Sequence, residues 1–239
     1  MQETTSGGGS PRALARTIGA LYLATVVLGG LAQGLIADRM ISLSDAAGTA
    51  ANVLADERLY RLGFTLYLLE MACQVGMTAL LYDLLRPAGR RAAILATSFG
   101  LVGCVVKTVG RVFYFAPLLI LSGAHPIRDF GAGGAEGLAL LLLRLNHQSE
   151  VIAVVFFGLH SVISGHLIIR SGYLPRALGA LSLLGGLGWL TYLWPPLGDS
   201  LVGLILPVAI LGALALIGWL LVVGVDEVRW RARAASPAS

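Results

Sequence analysis

Six stretches of this 239-residue chain run for about twenty residues or more with few side chains that are not apolar, at roughly 14–37, 59–85, 92–121, 149–170, 174–194 and 201–224. That pattern constrains the fold more than any other feature. About 20 residues of helix cross the hydrocarbon core of a bilayer. In lipid every backbone N–H and C=O must be bonded within the segment or within a closed barrel. Runs of this length without strand alternation are helices, so the sequence predicts an all-α, polytopic membrane bundle of six transmembrane helices. An even number of spans places both termini on one side.

Composition agrees. Only 13% of residues are charged against 56% hydrophobic, with a mean hydropathy of +0.81. A soluble domain carries about 25% charged residues, and a disordered chain is far less apolar. The net charge of +4 does not indicate nucleic acid, because the basic residues gather in the turns beside apolar spans. Ten arginines (12, 16, 86, 90, 91, 170, 176, 229, 231, 233) fall on one side and five (39, 58, 61, 128, 144) on the other. The positive-inside tendency then puts both termini in the cytoplasm of a cell-membrane protein. Trp189, Tyr192 and Trp194 mark an outer aromatic belt; Trp219 and Trp230 lie toward the inner one. Cys73 and Cys104 both sit inside spans and read as reduced packing residues.

Residues 1–12, with Gly7-Gly8-Gly9-Ser10-Pro11, form an expected flexible cytoplasmic tail. The membrane domain covers 13–228, and 229–239 reads as a basic, disordered tail. Ser44 or Asp45 offers an N-cap to the helix formers Ala46 to Leu54, predicting a short helix on the outer surface between the first two spans. Pro126 and four glycines make 123–135 a loop. A continuous helix over 136–170 would be about 50 Å long, so part of it must stand above the membrane or bend into its interface.

Charges inside these spans are the lead to function. Glu70, Lys107 and Arg111 lie within segments from which the bilayer excludes charge unless it faces a bundle interior, a partner or water, and Glu150 begins another. Helical spacing of three and four puts Gly63, Tyr67, Glu70 and Gln74 on one face of the second span. It gathers Gly100, Cys104, Lys107, Arg111 and Tyr114 on the third. Asn146, His147, Glu150, Phe157, Ser161 and Ser164 share a face on the fourth, with His160 at its edge. Equal depths pair Glu70 with Lys107 and Arg111 with Glu150, so the four charges cancel. An outward-facing polar pocket of Glu70, Gln74, Lys107, Arg111, His147, Glu150 and His160 is therefore the candidate binding site. His147 and Glu150 have metal-like spacing but are too few ligands. His160 and His166, six apart, point in different directions, and His160 is expected to bond Ser164 or a neighbouring helix. No Walker A loop, Rossmann fingerprint, H-E-x-x-H or G-x-S-x-G occurs. No cofactor, metal or catalytic set is expected.

The carboxy-terminal half carries the run Val155-Phe156-Phe157-Gly158-Leu159-His160. Gly165-His166-Leu167-Ile168-Ile169-Arg170-Ser171-Gly172-Tyr173-Leu174-Pro175-Arg176 follows, and then Leu178-Gly179. With Ala15-Arg16, Gly19 and Tyr22, Asp45 with Thr49 and Asn52, Arg61-Leu62-Gly63-Phe64, and Leu81-Tyr82 with Pro87, these motifs resemble the bacterial integral-membrane family called domain of unknown function 4386. The resemblance covers about 13–225. It implies a multi-pass inner-membrane protein and no particular chemistry.

Three functions compete. The polar pocket suggests a small-solute or proton-linked transporter, or a membrane sensor. Neutral pairing suggests a structural or accessory protein clamped by buried ion pairs. An intramembrane enzyme would need His160, Ser161 or Ser164 beside Glu150. The bilayer is the expected partner.

Overall fold

The computed structural model describes residues 10–122 and 131–235. The first nine residues, most of the expected loop at 123–135 and the last four residues lie outside that range.

Helix α1 spans Pro11–Gly30. Ser10 caps it, its hydroxyl accepting from the Arg12 N–H at 3.2 Å, and Pro11 supplies a helical φ at the first position. The expected flexible tail thus gives way to helix at Pro11. α1 continues into a π-helix, Leu31–Ala37, and a last turn, α2, Asp38–Met40. The expected surface helix is α3, Ala46–Ala55, capped by Asp45 through the Gly48 N–H at 2.9 Å. Thr49 exchanges two bonds with the Ser42 backbone and Asn52 donates to the Met40 carbonyl, so both lock the α2–α3 turn.

The long helices follow: α4 (Glu57–Leu85), α5 (Arg90–Leu121), α6 (Gly131–Ser171), α7 (Arg176–Leu190) and α8 (Pro195–Val222). Among the described residues five helices are long and apolar enough to cross a membrane: 11–40, 57–88, 90–121, 133–171 and 195–222. The expected fifth span, 174–194, is shorter. Pro175 holds the start of α7 extended, and the helix tightens into a 3-10 turn at Thr191–Leu193 before Trp194 and Pro195. Its 15 helical residues rise about 22 Å. The 41 residues of α6 rise about 60 Å, roughly twice the hydrocarbon thickness. Arg144 on α6 donates to the Leu43 carbonyl at 2.8 Å and ties α6 to the α2–α3 turn.

Helices α1, α4, α5, α6, α7 and α8 close into a ring in that order, with α8 returning to α1. Small residues permit the closest approaches, as expected where lipid removes the hydrophobic drive between helices. A Cβ on Gly165 would stand 2.6 Å from the Gly179 carbonyl oxygen, and one on Gly186 would stand 2.8 Å from that of Gly158. The face Gly179, Ser182 and Gly186 of α7 is thus buried on α6. Outside, Val105, Val109, Val112, Leu204 and Leu211 are exposed, as on a lipid-facing surface. Inside, one apolar cluster (Ile18, Leu84, Leu167, Leu220) fills the end near the chain termini and another (Ile36, Val53, Tyr60, Leu118, Leu143) fills the far end.

The expected disordered tail is helical as far as it is described. Gly224, at φ 77°, ends α8, and α9 runs Glu227–Ala235. Side chains hold it: Trp230 Nε1 donates to the Leu84 carbonyl at 3.0 Å, Arg233 to the Arg170 carbonyl and Arg229 to the Gly172 carbonyl. Ser10 Oγ donates to Glu227, so both described chain ends meet at one end of the bundle. That bond holds the Glu227 carboxyl below its ordinary range, with the nearby Arg12 and Arg231 contributing.

Candidate functional site

Between the two apolar clusters lies a band of charge. Lys107 Nζ on α5 donates to Glu70 Oε1 on α4 at 2.6 Å. The Glu70 side chain is 7% exposed and that of Lys107 is 20%. Room for the carboxylate comes from α1, where a Cβ on Gly29 would stand 2.9 Å from Glu70 Oε1. One helical turn toward the far end, Arg111 is 1% exposed and donates from Nη1 to Glu150 and, at 3.1 Å, to Asn146. Its guanidinium carbon lies 3.5 Å from the centroid of the Tyr67 ring, where a desolvated cation gains about 2 kcal/mol. Both expected pairs are therefore formed, and the three polar faces converge.

Around Arg111 the network extends to α1. Tyr67 donates to Gln33 Oε1 at 2.6 Å, and Gln33 Nε2 donates to Asp38 Oδ1 at 2.7 Å. Gln33 belongs to the π-helix, whose i→i+5 bonding (Asp38 N–H to the Gln33 carbonyl) turns this segment out of ordinary helical phase. Sequence periodicity assumes the α phase, so Gln33 and Asp38 gave no signal. Tyr60 stacks on Tyr114 with ring centroids 4.6 Å apart and donates to the Tyr114 carbonyl, bracing the same wall.

Two cavities flank the band. The central one, about 230 Å³, is lined from all six ring helices, with Tyr22 from α1, Glu70 and Gln74 from α4, Lys107 from α5, His160 and Ser161 from α6, Ser182 from α7 and Leu216 from α8. The far one, about 270 Å³, is lined by Gln33, Asp38, Tyr67, Asn146, His147 and Glu150 among others. The seven expected pocket residues therefore divide. Glu70, Gln74, Lys107 and His160 face the central cavity, His147 and Glu150 the far one, and Arg111 is held between them. Trp189, expected in the aromatic belt, lines the central cavity.

His160 Nδ1 lies 2.9 Å from the Ala96 carbonyl, so that nitrogen carries a proton and donates. The histidine is tied to a neighbouring helix, one of its two expected partners. His160, Ser161 and Ser164 face one cavity and Glu150 the other, so these groups do not assemble a nucleophile with its base. Among the described residues no group of three His, Cys, Asp or Glu side chains could hold a metal ion.

A family model matches residues 17–224. The chain belongs to the family described as Domain of unknown function (DUF4386). The DUF4386 match takes in every residue of the charged band and all of the ring except the first six residues of α1. Ser10 and α9, which clasp the chain ends together, lie outside it. An uncharacterised protein of Archaeoglobus fulgidus is 26% identical over 116 residues, 48% of this chain. The match spans 56% of the archaeal protein's length, a little over half. No solved structure matches the chain.

Proposed function

We propose that this multi-pass membrane protein binds a small polar solute in the central cavity and serves in its transport or sensing, with both chain termini in the cytoplasm. One observation carries the reading. An ion pair at the midpoint of two membrane helices borders a cavity lined from six helices, where a packed apolar core would be the simpler solution. The walls supply hydrogen-bonding groups from Gln74, Ser161 and Ser182 beside apolar surface from Met71, Val154 and Phe157. That mixture of few polar groups on an apolar lining is typical of small-molecule sites. The far cavity lies one turn beyond on the same helices and supplies the approach from outside, with Arg111 on Tyr67 as the partition. Neutral pairing favours a second reading, in which the pairs only hold helices in register.

Labelling of Ser161→Cys in a background lacking Cys73 and Cys104 separates the two. A membrane-impermeant thiol reagent, applied to cells and to inverted vesicles, should modify this cysteine from at least one side. Protection from both sides, with a His147→Cys control labelled, describes a sealed core and supports the clamp.

A further inference from the structure

We infer that the solute of the central cavity is a small zwitterion of amino-acid type, bearing an ammonium and a carboxylate on an apolar body; this rests on the reading of that cavity as a solute site. Glu70 and Lys107 are the formally charged acid and base that line it, and they cancel. The argument turns on what happens when a ligand engages that pair. A solute with a single charge can satisfy only one member and leaves the other unpartnered among apolar walls, the costly state for a buried ion. An uncharged solute leaves the pair closed and meets only hydroxyls, the Gln74 amide, His160 and Trp189. A zwitterion exchanges with both members at once. Its ammonium takes the place of Lys107 against Glu70, its carboxylate takes the place of Glu70 against Lys107, and the cavity stays neutral throughout.

The geometry suits that exchange. The pair is joined through one carboxylate oxygen at 2.6 Å, and an ammonium has three donors, so Lys107 can add a partner before releasing the first. The two members differ in freedom. Glu70 is wedged against Gly29, whereas Lys107 is one-fifth exposed on a flexible stem and is the member that can swing. Met71, Met77, Val154, Phe157 and Leu216 give the body of the solute an apolar wall. The volume of about 230 Å³ equals the liquid share of roughly eight waters, enough for a single amino acid.

Thermal melting of the purified full-length protein in detergent tests this with probes of one skeleton at pH 6.5: leucine, leucinamide, 4-methylpentanoate and 4-methylpentanamide, with alanine, valine and phenylalanine as further zwitterions. At least one zwitterion is expected to raise the melting temperature by about 5 °C or more near saturation. Its cationic, anionic and uncharged counterparts should not, and Glu70→Gln/Lys107→Met should abolish the rise. A comparable rise with the carboxylate, the amine or the amide alone overturns the zwitterion while leaving a solute site standing. The absence of any shift, with Ser161→Cys labelled, also overturns the zwitterion alone. The absence of any shift with that cysteine protected overturns the solute reading as well.

Discussion

Lys107→Met should destabilise the protein more than Glu70→Gln, and the two changes together should cost less than the first alone. Removing Lys107 strands a carboxylate that is 7% exposed and backed by Gly29. Breaking a buried pair from one side costs roughly 3–5 kcal/mol. The bordering cavity allows protonation or hydration, which sets the expectation at the lower end, about 3 kcal/mol. Glu70→Gln keeps an acceptor for Lys107, and that lysine can swing into the cavity, so about 1–2 kcal/mol is expected. Glutamine beside methionine leaves no lone charge, and the double variant should fall within about 1 kcal/mol of the parent. The coupling is then about 3–5 kcal/mol. Unfolding in detergent, followed by heat or by titrated denaturing detergent, reads these differences, at about 2–4 °C per kcal/mol for a chain of this size. Strict additivity, or a larger loss for Glu70→Gln than for Lys107→Met, would refute the assignment of Glu70 as the pinned, buried member.

Four further outcomes follow from the geometry. Gly165→Ala places a methyl 2.6 Å from a backbone oxygen that cannot give way, and should lower stability by about 2–3 kcal/mol in the same assay. Gly218→Ala, with nothing within 4 Å, should be neutral or slightly stabilising. Arg111→Lys keeps the charge but loses the planar stack on Tyr67 and the placement of Nη1 against both Asn146 and Glu150, for about 1–2 kcal/mol. A loss below about 0.5 kcal/mol, within the noise of ordinary surface changes, would remove that stack as a support. The depressed Glu227 carboxyl contributes stability above the ordinary glutamate range and loses it as pH falls through its lowered value in the folded protein. Trp230 fluorescence should therefore report loosening of α9 on acidification, and Glu227→Gln should remove that pH step.

Much of this arrangement is legible in the residues. Apolar length alone marks the long helices, because a lipid-spanning backbone has so few alternatives. The pairs Glu70–Lys107 and Arg111–Glu150 follow from counting 1.5 Å per residue inward from the span ends, since straight antiparallel helices preserve depth. What escapes the sequence does so for physical reasons. The π-helix at Leu31–Ala37 breaks the phase on which face assignments depend, which hides Gln33 and Asp38. The division into two cavities depends on Arg111 lying on the Tyr67 ring, a contact of side-chain orientation rather than spacing. Trp189 reads as a belt residue by its place near a span end, but the tight Gly158–Gly186 approach of α7 to α6 faces it inward. The α9 tail is rich in helix-forming Ala and Arg, but nine residues are too few to hold a helix alone; three carbonyl acceptors on other segments anchor it.

Closure of the ring through α8 and α1 sets an order of biogenesis. Glu70 and Lys107 are carried by consecutive long helices, so α4 and α5 can enter the membrane as a hairpin in which that one pair is already neutralised. Arg111 has no such neighbour; its acid lies 39 residues downstream, about 2–8 s later at ordinary rates of synthesis. During that interval the nascent chain holds an arginine that must stay near the insertion machinery or the membrane surface. The wall that α8 contributes is completed only when Leu220 and Leu221 settle against Gly19 on the first helix made. The cavity is thus walled only once α8 is in place, and a chain halted before α8 would present its charged interior to lipid.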